Sequence, residues 1–222
     1  MDADLDTYLA PTTFLDCDSP VVVDFARRAC DGETAARAQA VRLYYAVRDG
    51  IWYNPYTVVA DPEAFKASVI ARARSAFCVQ KAILLTAAAR AVGIPSRLAF
   101  ADVRNHLTSE KLRATMGTDI FVFHGYSELH LGGKWLKATP TFNRELCERF
   151  GVLPLEFDGT ADAIFQPFDA HNRRHMEYIR QRGSFADLPF DEMIAVMRET
   201  YGATSMTGEA EGEADKRFAR LA

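Results

Sequence analysis

Paired cysteines, long apolar runs and an excess of positive charge are all missing from this sequence. Its four cysteines, Cys17, Cys30, Cys78 and Cys147, lie singly, without the spacing of a disulfide framework or a zinc knuckle. No apolar run approaches the ~20 residues of a membrane span, and a formal net charge of -4 offers no basic field for nucleic acid. The start of the chain has no basic region followed by an apolar run, so we predict no signal peptide. We therefore expect a cytoplasmic protein without nucleic-acid or membrane partners.

Phosphate-binding loops, dinucleotide fingerprints and calcium loops are absent as well. His171 and His175 in "HNRRH" have the spacing of two metal ligands on one helix face, but the glutamate of the metalloprotease pattern and a third ligand are lacking. We predict neither a metal site nor a cofactor. The surrounding "RRHMEYIRQR" is interpreted as a solvated, basic helix face.

Helical patterns dominate the chain up to residue 95. Ser19 and Pro20 form a start signal, and Gly93 followed by Pro95 forms a strong stop signal. We predict four helices, over residues 19–32, 33–50, 61–74 and 75–93.

Strand patterns follow the helices. Residues 96–103 predict one strand, and residues 119–142 predict two strands joined at Gly132-Gly133. That turn would place His124 opposite Thr141, with Thr139 as its diagonal neighbour. One face of the hairpin would carry the more polar set Val122, His124, Tyr126, Glu128 and His130. Helices first and strands second predict an α+β fold with an antiparallel sheet.

Domain organisation follows from the lack of repeats and linkers. We predict a single domain over residues 1–205, with a core at about 8–145 and a C-terminal extension over 146–205. The extension mixes loops with a helix at "DEMIAVMRETYG". Residues 206–222 are small and charged, which predicts a mobile tail.

Cys78 stands at the start of its helix, in "SAFCVQKAILL". Unsatisfied N–H groups and the helix dipole favour negative charge there, so we expect a lowered thiol pKa and a nucleophilic thiolate. A base must assist the thiol, and His124 on the more polar hairpin face is the candidate.

These residues resemble the bacterial transglutaminase-like superfamily, which has a papain-like cysteine fold. "FCVQKAILLTAAARAVGIPSRL" and "HGYSELHLGGKWLKATPT" carry the resemblance, which extends over residues 8–143. It implies a nucleophile helix packed on an antiparallel sheet, Cys78 as nucleophile, and His124 as general base and then general acid. It also implies action on amide bonds through a thioester, by hydrolysis or by acyl transfer to an amine. The substrate would be a peptide, a protein or a small amide.

The resemblance leaves the third catalytic residue and the substrate cleft open. Thr139 stands where the family usually has an aspartate, Asn143 is a second candidate, and Glu128 is too distant at about 13 Å along the strand. Trp52 and Tyr53 match a segment that lines the family's cleft. The residues predicted to bind substrate are Tyr53, Trp52 and Tyr126. Two alternatives follow, a catalytically weakened binding module and a small-molecule acyltransferase.

Overall fold

The computed structural model describes residues 5–106, 108–165, 171 and 175–202. Its α-helices are α1 (Pro20–Cys30), α2 (Ala36–Gly50), α3 (Ala67–Ile70), α4 (Cys78–Ala91), α5 (Glu110–Met116), α6 (Arg144–Phe150) and α7 (Phe190–Tyr201). Its strands are β1 (Trp52–Tyr53), β2 (Ser75–Ala76), β3 (Ser96–Asn105), β4 (Ile120–Leu131), β5 (Lys134–Ala138) and β6 (Met176–Phe185). Short 3-10 helices cover Leu5–Tyr8 and Pro62–Phe65. The fold is α+β, as predicted.

A four-stranded antiparallel sheet in the order β5-β4-β3-β6 forms the centre of the molecule. The Gly132-Gly133 turn sets the β4–β5 register, with Leu131 opposite Lys134, which confirms the predicted hairpin. β1 and β2 form a separate parallel pair, and β2 directly precedes α4.

α4 packs along one face of this sheet, which we call the helix-side face. Gly125 allows the close approach, because a Cβ built on it would lie 2.9 Å from Val79 Cα. Two residues on, Ser127 accepts a hydrogen bond from Thr86 and donates one to the Ala82 carbonyl, at 2.9 and 3.0 Å. α4 is buried on almost every side, since α1, α2 and α3 also pack against it. The helix is thus the central element of the core.

The opposite face of the sheet, which we call the far face, carries a smaller apolar cluster. Small side chains of β3, Ala99 and Ala101 among them, lie there beside Tyr126 and Met176, and Phe165 covers them. His124 belongs to this face because it pairs with Ala101.

Three expectations about local structure are wrong. The predicted third helix is divided into the 3-10 helix and α3. From Met176 onward "RRHMEYIRQR" is not a helix face, because Met176–Phe185 forms β6, an edge strand paired with β3. Val122 belongs with the helix-side cluster and not with His124, because β4 contains a bulge between the two.

The domain limits stay predictions. The tail predicted over 206–222 lies outside the described residues. Within the described part of the chain, no helix is long and apolar enough to cross a membrane.

Candidate active site

Cys78 is the first residue of α4, so it lies in the first turn of the helix as predicted, although Ser75 and Ala76 form β2 and not the helix start. Phe77 caps the helix in an extended conformation, and its N–H donates to Gln80 Oε1 at 3.3 Å. Gln80 in turn donates to the Ala64 carbonyl at 2.9 Å, which ties the helix start to the preceding segment. The position of the thiol is therefore set by a cap and by one long-range hydrogen bond.

The Cys78 sulfur lies against backbone N–H groups of β4 and of its own helix. The N–H groups of Gly125, Val79 and Cys78 itself all act to lower the thiol pKa. Burial outweighs them and raises the pKa to about 11, since only 8% of the residue is exposed. The expected lowering of the thiol pKa is therefore wrong for this conformation. Desolvation destabilises the thiolate more than the three N–H dipoles stabilise it.

His124 lies in β4, one residue before the glycine that meets the sulfur. Its ring packs against Phe165 and Tyr178, with centroids 5.1 and 6.5 Å away. Nε2 is buried without a hydrogen-bond partner. Burial lowers the pKa of the imidazole to about 3, so the ring is neutral. The thiol and the imidazole thus belong to adjoining elements, and no hydrogen bond between Cys78 and His124 is formed.

Thr139 lies just beyond the end of β5. Pairing with β4 stops at Ser127 and Ala138, so the expected pair of His124 with Thr141 is not formed. The Thr139 N–H instead donates to the Ala163 carbonyl at 3.0 Å.

The Thr139 side chain is buried and faces Tyr178. Its hydroxyl makes no well-formed hydrogen bond, although it lies close enough to the Tyr178 hydroxyl to influence the pKa of that group. The Thr141 hydroxyl is also buried without a partner.

Asn143 has its side-chain amide engaged elsewhere. Nδ2 donates to the Arg48 and Ile51 carbonyls at 2.6 and 3.0 Å, and Oδ1 accepts from the Tyr53 N–H at 2.7 Å. In this structure Asn143 holds the α2–β1 junction and not the imidazole.

Of the three aromatic residues predicted to bind substrate, Tyr53 lies at the thiol. It is buried edge-on to Phe142 at 4.9 Å, and its pKa is raised by burial and then by Cys78. The Arg149 guanidinium lies over the Trp52 ring, with Arg149 Cζ 5.6 Å from the ring centroid. Tyr126 is on the far face, where its hydroxyl donates to Gln181 at 3.0 Å.

Tyr201, the last residue of α7, was not singled out in the sequence. Its hydroxyl accepts the Val122 N–H at 2.6 Å. Burial raises the pKa of Tyr201, the Val122 N–H opposes that effect, and Cys78 raises the pKa further. Tyr53 and Tyr201, which are far apart in the sequence, therefore both lie near the thiol. A tyrosine at a helix C-terminus has no sequence signal that would distinguish it from a packing residue.

The histidine pair 171 and 175 is not part of a metal site in the described structure. His175 is buried beside Phe142 and Phe165 and directly precedes β6. Residues 172–174, which would complete the predicted helical spacing, lie outside the described residues. Within the residues described, no group of three histidine, cysteine or acidic side chains is arranged to hold a metal.

Comparisons with known proteins agree with this arrangement of thiol helix and histidine strand. A family model, the transglutaminase-like superfamily, matches residues 23–140, just over half of the chain. The chain belongs to this superfamily. Its matched region includes both Cys78 and His124, whereas β6, α7 and Tyr201 lie outside it.

The transglutaminase-like fold also resembles a solved structure, that of an inferred cysteine protease from Cytophaga hutchinsonii. The TM-score is 0.50 at 15% identity, over 83% of this chain and 55% of the other. The chain thus corresponds to little more than half of that protein's length, and at this identity the likeness concerns the fold. Comparison with curated proteins gives no significant match. These findings place the chain in a general superfamily of cysteine enzymes.

Proposed function

We propose that this protein is a cysteine enzyme that acts on amide bonds through a thioester at Cys78. The observation that carries the proposal is that the start of α4, at Cys78 and Val79, packs directly on Gly125 of β4, the residue after His124. Membership of the transglutaminase-like superfamily supports the same pair. Peptides, proteins and small amides are the proposed substrates.

The proposed reaction uses four proton transfers, two in each half, and each of them passes through His124. His124 takes the thiol proton as the sulfur attacks the amide carbon, and the backbone N–H of Cys78 donates to the developing oxyanion. The C–N bond then breaks, and the leaving amine takes the proton from His124. Water or a second amine attacks the thioester, loses a proton to His124, and the sulfur leaves as the thiol.

In the resting state both groups are neutral, and His124 lies on the far face without a hydrogen bond to the Cys78 thiol. The imidazole must therefore turn toward the thiol, and the proton must move, during the attack. Thr139 can orient the imidazole through its hydroxyl but cannot stabilise an imidazolium by charge. Tyr53 and Tyr201 flank the buried thiol, so a substrate must displace at least one of them. We therefore expect slow turnover from a closed resting state.

A binding module is the second candidate. The neutral, buried pair and the missing carboxylate at residue 139 favour it, because neither group is ionised for catalysis. Such a module would bind amide-containing partners without forming a covalent intermediate.

A cytoplasmic location is proposed with the enzyme. All four cysteines are free thiols, which fits a reducing compartment.

The test is covalent acylation by a p-nitrophenyl ester, followed by intact-mass measurement and by p-nitrophenol release. We expect one acyl group per chain on Cys78, and Cys78→Ala should reduce acylation by a factor on the order of 1000 or more. His124→Gln should slow it about 100-fold. Thr139→Asp should accelerate it roughly 10-fold by restoring a charged partner for the imidazole.

Cys147→Ser is the matched control, because Cys147 is also buried and its thiol pKa is raised by burial to about 12. It should acylate like the wild type. Iodoacetamide should likewise label Cys78 before Cys17, Cys30 and Cys147. Acylation that survives Cys78→Ala, or a wild type that stays unmodified, would reject the enzyme in favour of the module.

A further inference from the structure

β4 is irregular at the residue before His124. Ala101 of β3 pairs with His124, but Val103 pairs with Phe121, so two residues of β4 lie opposite Asp102 alone. This is a β-bulge. Phe123 within it has a φ of +54°, a left-handed conformation that is costly for a bulky side chain. Such a conformation persists only where the surroundings impose it.

Asp102 and Arg182 impose this conformation from two neighbouring strands. Asp102 Oδ1 accepts the Phe123 N–H at 3.1 Å. Arg182 donates to both carboxylate oxygens of Asp102, at 2.6 and 2.9 Å. Its guanidinium also lies over the Phe123 ring, 4.4 Å from the centroid. The carboxylate thus holds the bulge backbone and the guanidinium holds its side chain.

The pair is almost fully enclosed. The side chains of Arg182 and Asp102 are 9% and 10% exposed. A bidentate pair at this depth loses little to solvent screening and has one preferred geometry. It therefore joins β3, β4 and β6 rigidly at one level of the sheet.

The bulge decides which way the residues after it face. Side chains alternate along a strand, so removing one extra residue would exchange the faces of His124 and Gly125. Gly125 could then no longer admit Val79 at close range, and its N–H would no longer meet the Cys78 sulfur. The orientation of the proposed base and the contact at the proposed nucleophile depend on the same backbone irregularity.

We propose that Asp102 and Arg182 are positioning residues that set the Cys78–His124 pair by holding the bulge at Phe123. The inference rests on the proposed function, since it assigns a role to residues that would touch neither substrate nor sulfur. Arg182 lies outside the region matched by the family model.

The same sheet contains a natural control. Arg97 and Glu128 form a second ion pair between β3 and β4 at 2.6 Å, and Glu128 also accepts from Ser184 of β6 at 2.8 Å. This pair spans the same three strands, but at a level where the β3–β4 register is regular.

The experiment compares Asp102→Asn and Arg182→Lys with Glu128→Gln. For each folded variant, acylation by the p-nitrophenyl ester is followed from pH 3 to pH 8, and thermal unfolding is recorded in parallel. We expect Asp102→Asn to acylate at least about 10-fold more slowly. Its acid limb should lie at higher pH than that of the wild type, because a less enclosed imidazole is protonated more easily.

Arg182→Lys should show a smaller change in the same direction, since it retains one charged contact. Glu128→Gln should keep the wild-type rate within about 2-fold and the wild-type acid limb, even if its melting temperature falls.

A folded Asp102→Asn with the wild-type rate and acid limb would overturn the inference, and so would a Glu128→Gln that changes both as strongly. Failure of both Asp102→Asn and Arg182→Lys to fold would also overturn it, because the pair would then be a determinant of folding. A wild type that is never acylated would instead reject the proposed function itself.

Discussion

The two faces of the central sheet differ in whether their buried polar side chains are hydrogen-bonded. On the helix-side face, Ser127 is bonded to both Thr86 and Ala82. On the far face, His124 Nε2 and the Tyr178 hydroxyl are buried, and neither makes a well-formed hydrogen bond. Ser127 and His124 are both almost fully buried, so exposure does not explain the difference.

The difference separates structural from functional polar groups. A buried polar group without a partner destabilises the fold, and native proteins keep few of them. Three such atoms, the hydroxyls of Thr139 and Thr141 and Nε2 of His124, lie in or next to the predicted catalytic set. The hydrogen bonds of Ser127 therefore stabilise the helix-side face, whereas under the proposed function the unbonded groups of the far face would be available to a substrate.

Lowering the pH should give the largest effect. The pKa of the imidazole falls from 6.5 to about 3 on folding, so between these values the unfolded chain binds a proton that the folded chain does not. The free energy of unfolding must then fall as the pH falls, by about 3 kcal/mol from pH 7 to pH 4 on account of His124.

Denaturant unfolding of the wild type and of His124→Gln at both pH values measures that contribution. The wild type should lose more stability than the variant, because only the wild type has the His124 imidazole. The carboxylates contribute equally to both proteins. Equal losses would mean that His124 is already solvated and that the far face is open.

Gly125→Ala should give the next largest effect, on the helix-side face. The added Cβ would lie 2.9 Å from the Val79 backbone and 3.3 Å from its side chain, so α4 must move away from β4. We expect a loss of about 2 kcal/mol in the free energy of unfolding, together with a change in the alkylation rate of Cys78. Gly50→Ala is the matched control, because a Cβ at Gly50 meets open space; it should change neither the free energy of unfolding nor the alkylation rate. Gly133→Ser at the hairpin turn would be a poor control, because the φ of Gly133 is positive.

Removing one hydroxyl group from each face should give the smallest changes in the free energy of unfolding and the most direct comparison of the two faces. Ser127→Ala removes an acceptor from Thr86 and should cost about 1 kcal/mol. Thr139→Val removes a hydroxyl that has no partner and should leave the free energy of unfolding within about 0.5 kcal/mol of the wild type, or raise it. If thermal unfolding shows equal losses for the two variants, the far face is not poised for a ligand.

Local signals account for what sequence analysis predicted correctly. Ser19-Pro20, Gly93-Pro95 and Gly132-Gly133 act over a few residues, and the helix limits and the hairpin register follow from them. The failure at β6 has the same origin. Its residues read as a basic helix because the strand is an exposed edge, stabilised by pairing with β3 and not by its own pattern.

The sequence by itself determined the α+β order, the start of α4 at Cys78 and the hairpin that contains His124, because each depends on neighbours in the chain. Only the tertiary structure decided that Phe123 bulges, that Asn143 bonds to Arg48 and Ile51, and that burial raises the pKa of the Cys78 thiol. These features depend on groups far apart in the sequence and on the exclusion of water, and neither is encoded in any local pattern of residues.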